Sequence, residues 1–265
     1  TGEFIAVHTE QVARLYFPLV NEAGMRSWTN PDLQGSPAAE HNEYLGVPLT
    51  AEDLANTLVH RGFWLAEPGR RPFSLSRLSA DGLDVHARRL RVPATLVNAG
   101  PGWFSVVKES SDRRFRVRAT LWCPSDLDEK IEIMLVEVTN TSKKALHFDA
   151  YGAIPLFARS ADDVRDHRHV TALLNRVRLS RHGVSACPTM SFDERGHRLN
   201  TTVYTVLGFG PRGRPPTGIW PTQESFLGEG GSFAAPAAVW RREKEPRGSP
   251  ASFQGKEALG GFCFE

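Results

Sequence analysis

The aromatic and polar side chains of Tyr16-Phe-Pro-Leu-Val-Asn-Glu-Ala-Gly-Met-Arg-Ser-Trp-Thr-Asn30 are the first in the chain with the makings of a binding site. Sugars present apolar C–H faces beside hydroxyl groups, so their sites combine an aromatic platform with amide, carboxylate or guanidinium partners. Arg26, Trp28 and Asn30 supply that set. The competing reading has Tyr16, Phe17 and Trp28 packing the first hairpin, as aromatic side chains usually do.

The densest polar string is Arg159-Ser-Ala-Asp-Asp-Val-Arg-Asp-His-Arg-His169. If Asp166 to His169 are extended, His167 and His169 project from one face and Asp166 and Arg168 from the other. Two histidines so spaced need a third metal ligand from elsewhere, such as His197 or Asp193. The alternative, which Arg–carboxylate chemistry favours, is an ion-pair lattice in which arginine forks hold Asp162, Asp163 and Asp166. Asp193, Glu194 and His197 are also nominal acid and base groups, but adjacent carboxylates on a tight turn are solvated and point apart. Their expected task is to fix the turn.

Other catalytic signatures are missing. The chain has no Gly-x-Ser-x-Gly elbow, no phosphate loop, no His-Glu-x-x-His and no dinucleotide fingerprint. Gly228, Gly230 and Gly231 stand outside any strand-to-helix context that would make them a nucleotide site.

The elements that must position these residues read as strands. Phe115, Val117, Ala119, Leu121 and Cys123 alternate with Arg114, Arg116, Arg118, Thr120 and Trp122, as one buried and one wetter face require. Ile131, Ile133 and Leu135 continue the pattern, but the apolar parity shifts at Val136 and Val138, which predicts a β-bulge or a strand buried on both faces. Asn140 to Lys144 supplies turn chemistry before Leu146, Phe148 and Ala150, predicting a hairpin or meander. Further strands are expected at Val170–Leu179, Ala186–Phe192 and Thr201–Phe209, with Val203, Thr205, Leu207 and Phe209 on one face and a turn at 193–197 that Gly196 permits. Two short peripheral helices are expected, at Thr50 to Leu58 and Ser160 to Val164. Pro211–Pro221 and Glu243–Ser252 read as exposed loops. Gly255 to Glu265 reads as a last strand that leaves an open edge, implying that more sheet follows.

Composition narrows the partners. In 265 residues, 40% of them apolar, Lys+Arg number 32 and Asp+Glu 30, a formal net charge of +2. A chain this size buries a substantial core, and the balance provides no field to draw it to nucleic acid or anionic lipid. No run of about 18 apolar residues exists to span a membrane. Cys123, Cys187 and Cys263 are odd in number and far apart, which fits a reducing, cytoplasmic compartment.

At these same strings the chain resembles the N-terminal region of glycoside hydrolase family 94. They are Tyr16 to Met25, Arg159-Ser-Ala-Asp through Arg165-Asp-His-Arg-His-Val170, Ser191-Phe-Asp-Glu-Arg-Gly-His197 and Phe226-Leu-Gly-Glu-Gly-Gly-Ser-Phe233. The likeness covers nearly the whole chain and is greater to the 1,2-β-oligoglucan phosphorylases than to cellobiose, cellodextrin or chitobiose phosphorylases.

The resemblance implies a mainly β fold: a galactose-mutarotase-like antiparallel β super-sandwich with a few short peripheral helices. It implies one domain over 1–265, truncated at its C-terminal end and lacking the (α/α)6 barrel that follows in the family. Family members cleave a β-glucoside with inorganic phosphate and inversion. The acid and the phosphate pocket belong to the barrel, so no catalytic residue is carried over and no cofactor is expected beyond phosphate as the parent's co-substrate. The sandwich would pack on the barrel, wall the cleft for a β-glucan oligosaccharide, or join a homodimer. In that light Arg165, Asp166, His167, Arg168 and His169 become a loop that docks on the barrel or reaches the substrate, beside Arg26, Trp28 and Asn30. Two other classes compete: a stand-alone carbohydrate-binding module, and a mutarotase or lyase drafting His167, His169 and Glu194. Fold likeness alone does not carry the latter activity.

Overall fold

A computed structural model describes residues 2–9, 16–39, 43–48, 61–76, 95–160, 168–193, 196–246 and 250–265, with the backbone alone for Arg168, His169, Phe192, Asp193, Pro250 and Ala251. The helix expected at Thr50 to Leu58, and residues 161–164 of the second expected helix, lie outside the described residues.

Alternation dominates. In chain order the strands begin with β1 (Phe4–Ala6), β2 (Phe17–Val20), β3 (Met25–Thr29), β4 (Ala38–Ala39), β5 (Gly62–Ala66) and β6 (Phe73–Ser74). The centre adds β7 (Thr95–Gly100), β8 (Trp103–Glu109), β9 (Phe115–Trp122), β10 (Ile133–Asn140) and β11 (Asp149–Leu156). The remainder are β12 (Asn175–Leu179), β13 (Gly183–Pro188), β14 (Met190–Asp193), β15 (Gly196–Leu199), β16 (Tyr204–Leu207), β17 (Gly218–Thr222) and β18 (Ala258–Phe264). Among the described residues three short α-helices accompany them: α1 (Arg168–Thr171), α2 (Gln223–Leu227) and α3 (Ala237–Trp240).

The strands form layers. One five-stranded sheet runs β1-β7-β8-β9-β10 and another β17-β18-β11-β5-β6, while β12-β13-β16, β2-β3-β4 and β14-β15 make smaller sheets. Among the described residues every strand pairing is antiparallel. The β11 sheet is the middle layer. On one side its Leu65 and Phe63 meet Val97, Phe104, Val117 and Leu121 of the β9 sheet, and its Ala258 and Phe262 meet Val184 and Val206 of the β13 sheet. On the other side Trp64, Tyr151 and Trp220 pack with Phe226 and Val239 of α2 and α3. Each such large apolar side chain contributes about 1.5–3 kcal/mol by leaving water.

The expected mainly β fold with short peripheral helices is what the chain adopts, and β9 buries Phe115, Val117, Ala119 and Leu121 as its alternation requires. Several details depart from the sequence reading. Strand β10 pairs with β9 in unbroken register, Ile133 opposite Trp122 through Asn140 opposite Phe115, so there is no bulge. Met134, Val136 and Val138 pack on the core, and Leu135 is therefore turned outward, 50% exposed.

Asn140 does form a turn, accepting from Ser142 N at 2.9 Å and donating to Lys144 O at 2.8 Å. The strands it separates lie in different sheets, so the turn is a crossover and not a hairpin.

The segment expected as one strand at Val170–Leu179 starts as α1 and a 3-10 turn over Ala172–Leu174, with only Asn175–Leu179 extended. Tertiary anchors win there: buried Asn175 donates to Lys256 O and accepts from Gly255 N. The expected Ala186–Phe192 strand is divided between β13 and β14, and Gly196, at φ 98, closes the β14–β15 turn as expected. The loop expected at Pro211–Pro221 ends inside β17, where Pro221 occupies a register shift between Trp220 and Thr222 that needs no ladder donor. Finally, β18 is no open edge. It lies between β17 and β11 and pairs with both.

Candidate functional site

Hairpin β2–β3 positions the aromatic platform. Gly24, at φ 96, makes its turn, and Asn21 accepts from Met25 N at 2.9 Å while donating to Pro124 O and Glu129 O at 3.1 and 2.9 Å. The pleat then sorts β3: Met25, Ser27 and Thr29 face the core, and Arg26 and Trp28 face outward opposite Val20 and Pro18. Tyr16 meets the half-buried Trp28 edge-on, with ring centroids 4.9 Å apart. An exposed guanidinium and two partly exposed rings therefore share one surface.

Asn30 is placed apart from them. Its Oδ1 accepts from Asp32 N at 2.9 Å and Gln34 N at 3.0 Å, and its amide faces Gln34 Oε1 at 3.3 Å. It is 8% exposed and serves the turn that returns the chain beneath Trp28.

Behind the platform lies a polar network that composition and spacing did not reveal. Arg61, 1% exposed, donates from Nε and Nη2 to the two carboxylate oxygens of Glu132 at 2.6 Å each, from Nη2 to Ser27 Oγ at 2.8 Å and from Nη1 to Leu33 O at 3.2 Å. Ser27 in turn donates to Glu132. Burial and the neighbouring Glu132 carboxylate push the Cys123 thiol up to about 12. One signal was available: Glu132 shares the parity of Met134, Val136 and Val138, so its carboxylate had to face inward and required a cation.

Of the polar string, Arg165, Asp166 and His167 lie outside the described residues, as do Asp162 and Asp163. Arg168 and His169 open α1, which replaces the extended alternation considered for them. Arg159 is the anchor on the preceding side. Its buried guanidinium donates to Thr171 Oγ1 at 2.9 Å and Glu257 Oε2 at 2.6 Å and lies 4.2 Å from the centre of the Phe157 ring. The two ends of the string are thus tied to one side chain.

His197 is exposed on β15, paired across the ladder with Phe192, while Asp193 is opposite Gly196 and Glu194 lies outside the described residues. Among the described residues no three His, Cys, Asp or Glu side chains gather as a metal set.

Buried Asp149 and the partly buried Glu67 and Glu257 are also committed to cations. Asp149 accepts from Arg242 Nη2 at 2.6 Å and also from Lys244, which reaches Glu265 at 3.0 Å. Burial alone would raise the Asp149 pKa, but these hydrogen bonds hold it below the usual carboxylate range. Glu67 receives Arg114 at 2.7 Å, and Glu257 receives Arg159.

Antiparallel sheets packed face to face over shared apolar cores make a β-sandwich. Residues 107–253, more than half the chain, match the model of the glycosyl hydrolase 94 supersandwich domain. The chain belongs to that family. No match was found among curated proteins. Among the described residues no helix is long and apolar enough to cross a membrane.

Proposed function

We propose that this chain is the non-catalytic sandwich of an inverting β-glucoside phosphorylase of the β-1,2-oligoglucan type. It packs against a helical (α/α)6 barrel and contributes a wall of the oligosaccharide cleft. The observation that carries the reading, beside family membership, is the state of two carboxylates inside the sandwich: partly buried Glu132 and buried Asp149 are gripped by cations. A general acid must hold a proton at working pH, whereas the hydrogen bonds from Lys244 and Arg242 hold Asp149 below the usual carboxylate range. Phosphate would enter as co-substrate at the barrel. Three free thiols suit a reducing compartment such as the cytoplasm.

The partly exposed Tyr16–Trp28 pair with Arg26 favours a second reading, a module that binds β-glucan by itself. Two measurements separate them. In the first reading, purified chain with phosphate and β-1,2-gluco-oligosaccharide releases no glucose 1-phosphate, and release of that product overturns it. Titration with the same oligosaccharides should leave Trp fluorescence flat. Quenching that Trp28→Ala removes would instead establish the stand-alone binder.

A further inference from the structure

Around β9 and α3, guanidiniums meet carboxylates: Arg70 and Arg114 pair with Glu67 and Asp112, Arg116 with Glu109, Arg118 with Glu137, Arg241 with Glu243 and Arg242 with Asp149. The β12-β13-β16 sheet is different. From residue 170 to residue 222 the sequence holds seven arginines, no lysine and two acids. Among the described residues Arg176, Arg178, Arg181, Arg212 and Arg214 are exposed and meet no carboxylate, Arg176 reaching only the carbonyls of Leu173 and Asn175. Guanidinium is the side-chain cation suited to bidentate carboxylate pairing, so this surface has carboxylate-binding capacity to spare.

Strand order and pleat shape the surface as a trough. Val177, Val184, Ala186, Tyr204 and Val206 face inward and bury against Ala258 and Phe262 of β18. That leaves Gly183, Ser185 and Cys187 as the outward residues of the middle strand, β13, and all three are small. Along one side β12 raises Arg176 and Arg178. Along the other, Val203 and Leu207 flank Thr205 and are 57 and 53% exposed, with Phe209 at 58% beyond them. Register places Arg178, Ser185 and Thr205 in one cross-strand row, Arg176 opposite Cys187 and Gly183 opposite Leu207. The hydroxyls of Ser185 and Thr205 bond each other at 2.9 Å. A basic wall and an aliphatic wall therefore face each other across a shallow floor of small residues.

The walls stand two strand spacings apart, about 9.5 Å, close to the roughly 10 Å width of an α-helix. Arg176 and Arg178 are about 6.6 Å apart along β12, comparable to the ~6 Å between side chains four positions apart on one helix face. From this charge and width complementarity we infer that the trough binds an acidic amphipathic helix of another protein. Its Asp or Glu stripe lies on Arg176 and Arg178, and its aliphatic stripe on Val203, Leu207 and Phe209. The described α-helices of this chain have four or five residues, too short to supply such a helix from a second copy. Nucleic acid has no aliphatic stripe to cover the second wall, and a lipid surface is a plane that leaves the floor unfilled. The inference does not rest on the phosphorylase reading above.

Fluorescence anisotropy tests it, with the 265-residue chain titrated into a labelled synthetic helix. The peptide has about 18 residues, with Glu at i and i+4 positions on one flank, Leu on the other and Ala elsewhere. A peptide of the same composition with the Glu and Leu positions shuffled is the control. The designed helix should bind at least about 10-fold more tightly than the shuffled one, and binding should weaken as salt rises. Arg176→Glu with Arg178→Glu should weaken it at least about 10-fold, and Leu207→Ser about 5-fold. All three side chains are exposed, and circular dichroism checks that both variants keep the fold. No binding, equal binding of the shuffled peptide, or indifference to either variant would overturn the assignment. Tighter retention of the chain by a single-stranded oligonucleotide or by phosphatidylserine vesicles than by the designed helix would overturn it too.

Discussion

Arg61 grips Glu132 through two parallel hydrogen bonds of 2.6 Å, and the pair is closed by Ser27, the inward neighbour of Arg26 and Trp28 on β3. The outward platform and the inward ion pair are thus successive pleats of one strand. Whatever disturbs the pair must tilt the platform.

Removing one partner strands a charge in a site where Arg61 has almost no contact with water. Arg61→Met should cost about 3–5 kcal/mol, whereas Arg61→Met combined with Glu132→Leu should recover most of that loss. Urea unfolding of the two variants measures both quantities. A cost below about 1 kcal/mol for the single change would show that the pair is solvated.

Acid stability follows from the carboxylates held ionised. Burial raises Asp112, yet its hydrogen bonds from Arg114 and Ser110 bring it to about 2, and Asp149 is lowered in the same sense by Lys244 and Arg242. An unfolded Asp titrates near 3.9, so on acidification the unfolded chain takes up protons first. Stability should be level above about pH 4 and fall between there and about pH 2. Asp149→Asn should be less stable at neutral pH and show a shallower acid limb, converging with the parent chain at the acid end. Parallel acid limbs in pH-dependent urea unfolding would contradict this origin.

Two glycines should respond in opposite directions to the same methyl group. A Cβ on Gly35 would sit 1.7 Å from the Trp28 carbonyl oxygen, a backbone atom that cannot step aside without moving the platform. Gly35→Ala should cost about 3 kcal/mol and alter the environment of Trp28. A Cβ on Gly152, in the central strand β11, meets nothing within 4 Å. Gly152→Ala should therefore gain about 0.5 kcal/mol, since alanine gives up less backbone freedom on folding. Thermal melts of both variants check the signs, and an equal loss for the two would deny the difference in packing.

How far the sequence reached depends on the range of the governing interaction. Strand β9 was legible because the pleat alone sorts Phe115, Val117, Ala119 and Leu121 from Arg116 and Arg118. The turn at Asn140 was legible too, since its hydrogen bonds span only a few residues. What followed the turn was not, because the choice between hairpin and crossover is made by which sheet accepts β11. In β10 the apolar residues occupy both parities, and only packing decides that Val136 faces inward and Leu135 outward. Arg61 and Glu132 are 71 positions apart, a separation that no local pattern reports. Trp28 and Arg26 emerged together because they share a pleat, while Asn30, two residues further on, had left the strand for a turn.

The cysteines give a test of the layering that needs no substitution. Cys123 and Cys263 are buried in different layers, the first beside Glu132 and the second in the cluster around Tyr151 and Trp220. Burial pushes both thiols up, Cys123 to about 12, so neither offers thiolate to a reagent near neutral pH. Cys187 is half-buried on β13, opposite Arg176 on the outward face of its sheet. A thiol-specific disulfide reagent should therefore consume one thiol rapidly in the native chain, and all three only after denaturant. Two fast thiols would mean that one of the layers on either side of β11 is open to water, because Cys123 reports the β9 side and Cys263 the helix side.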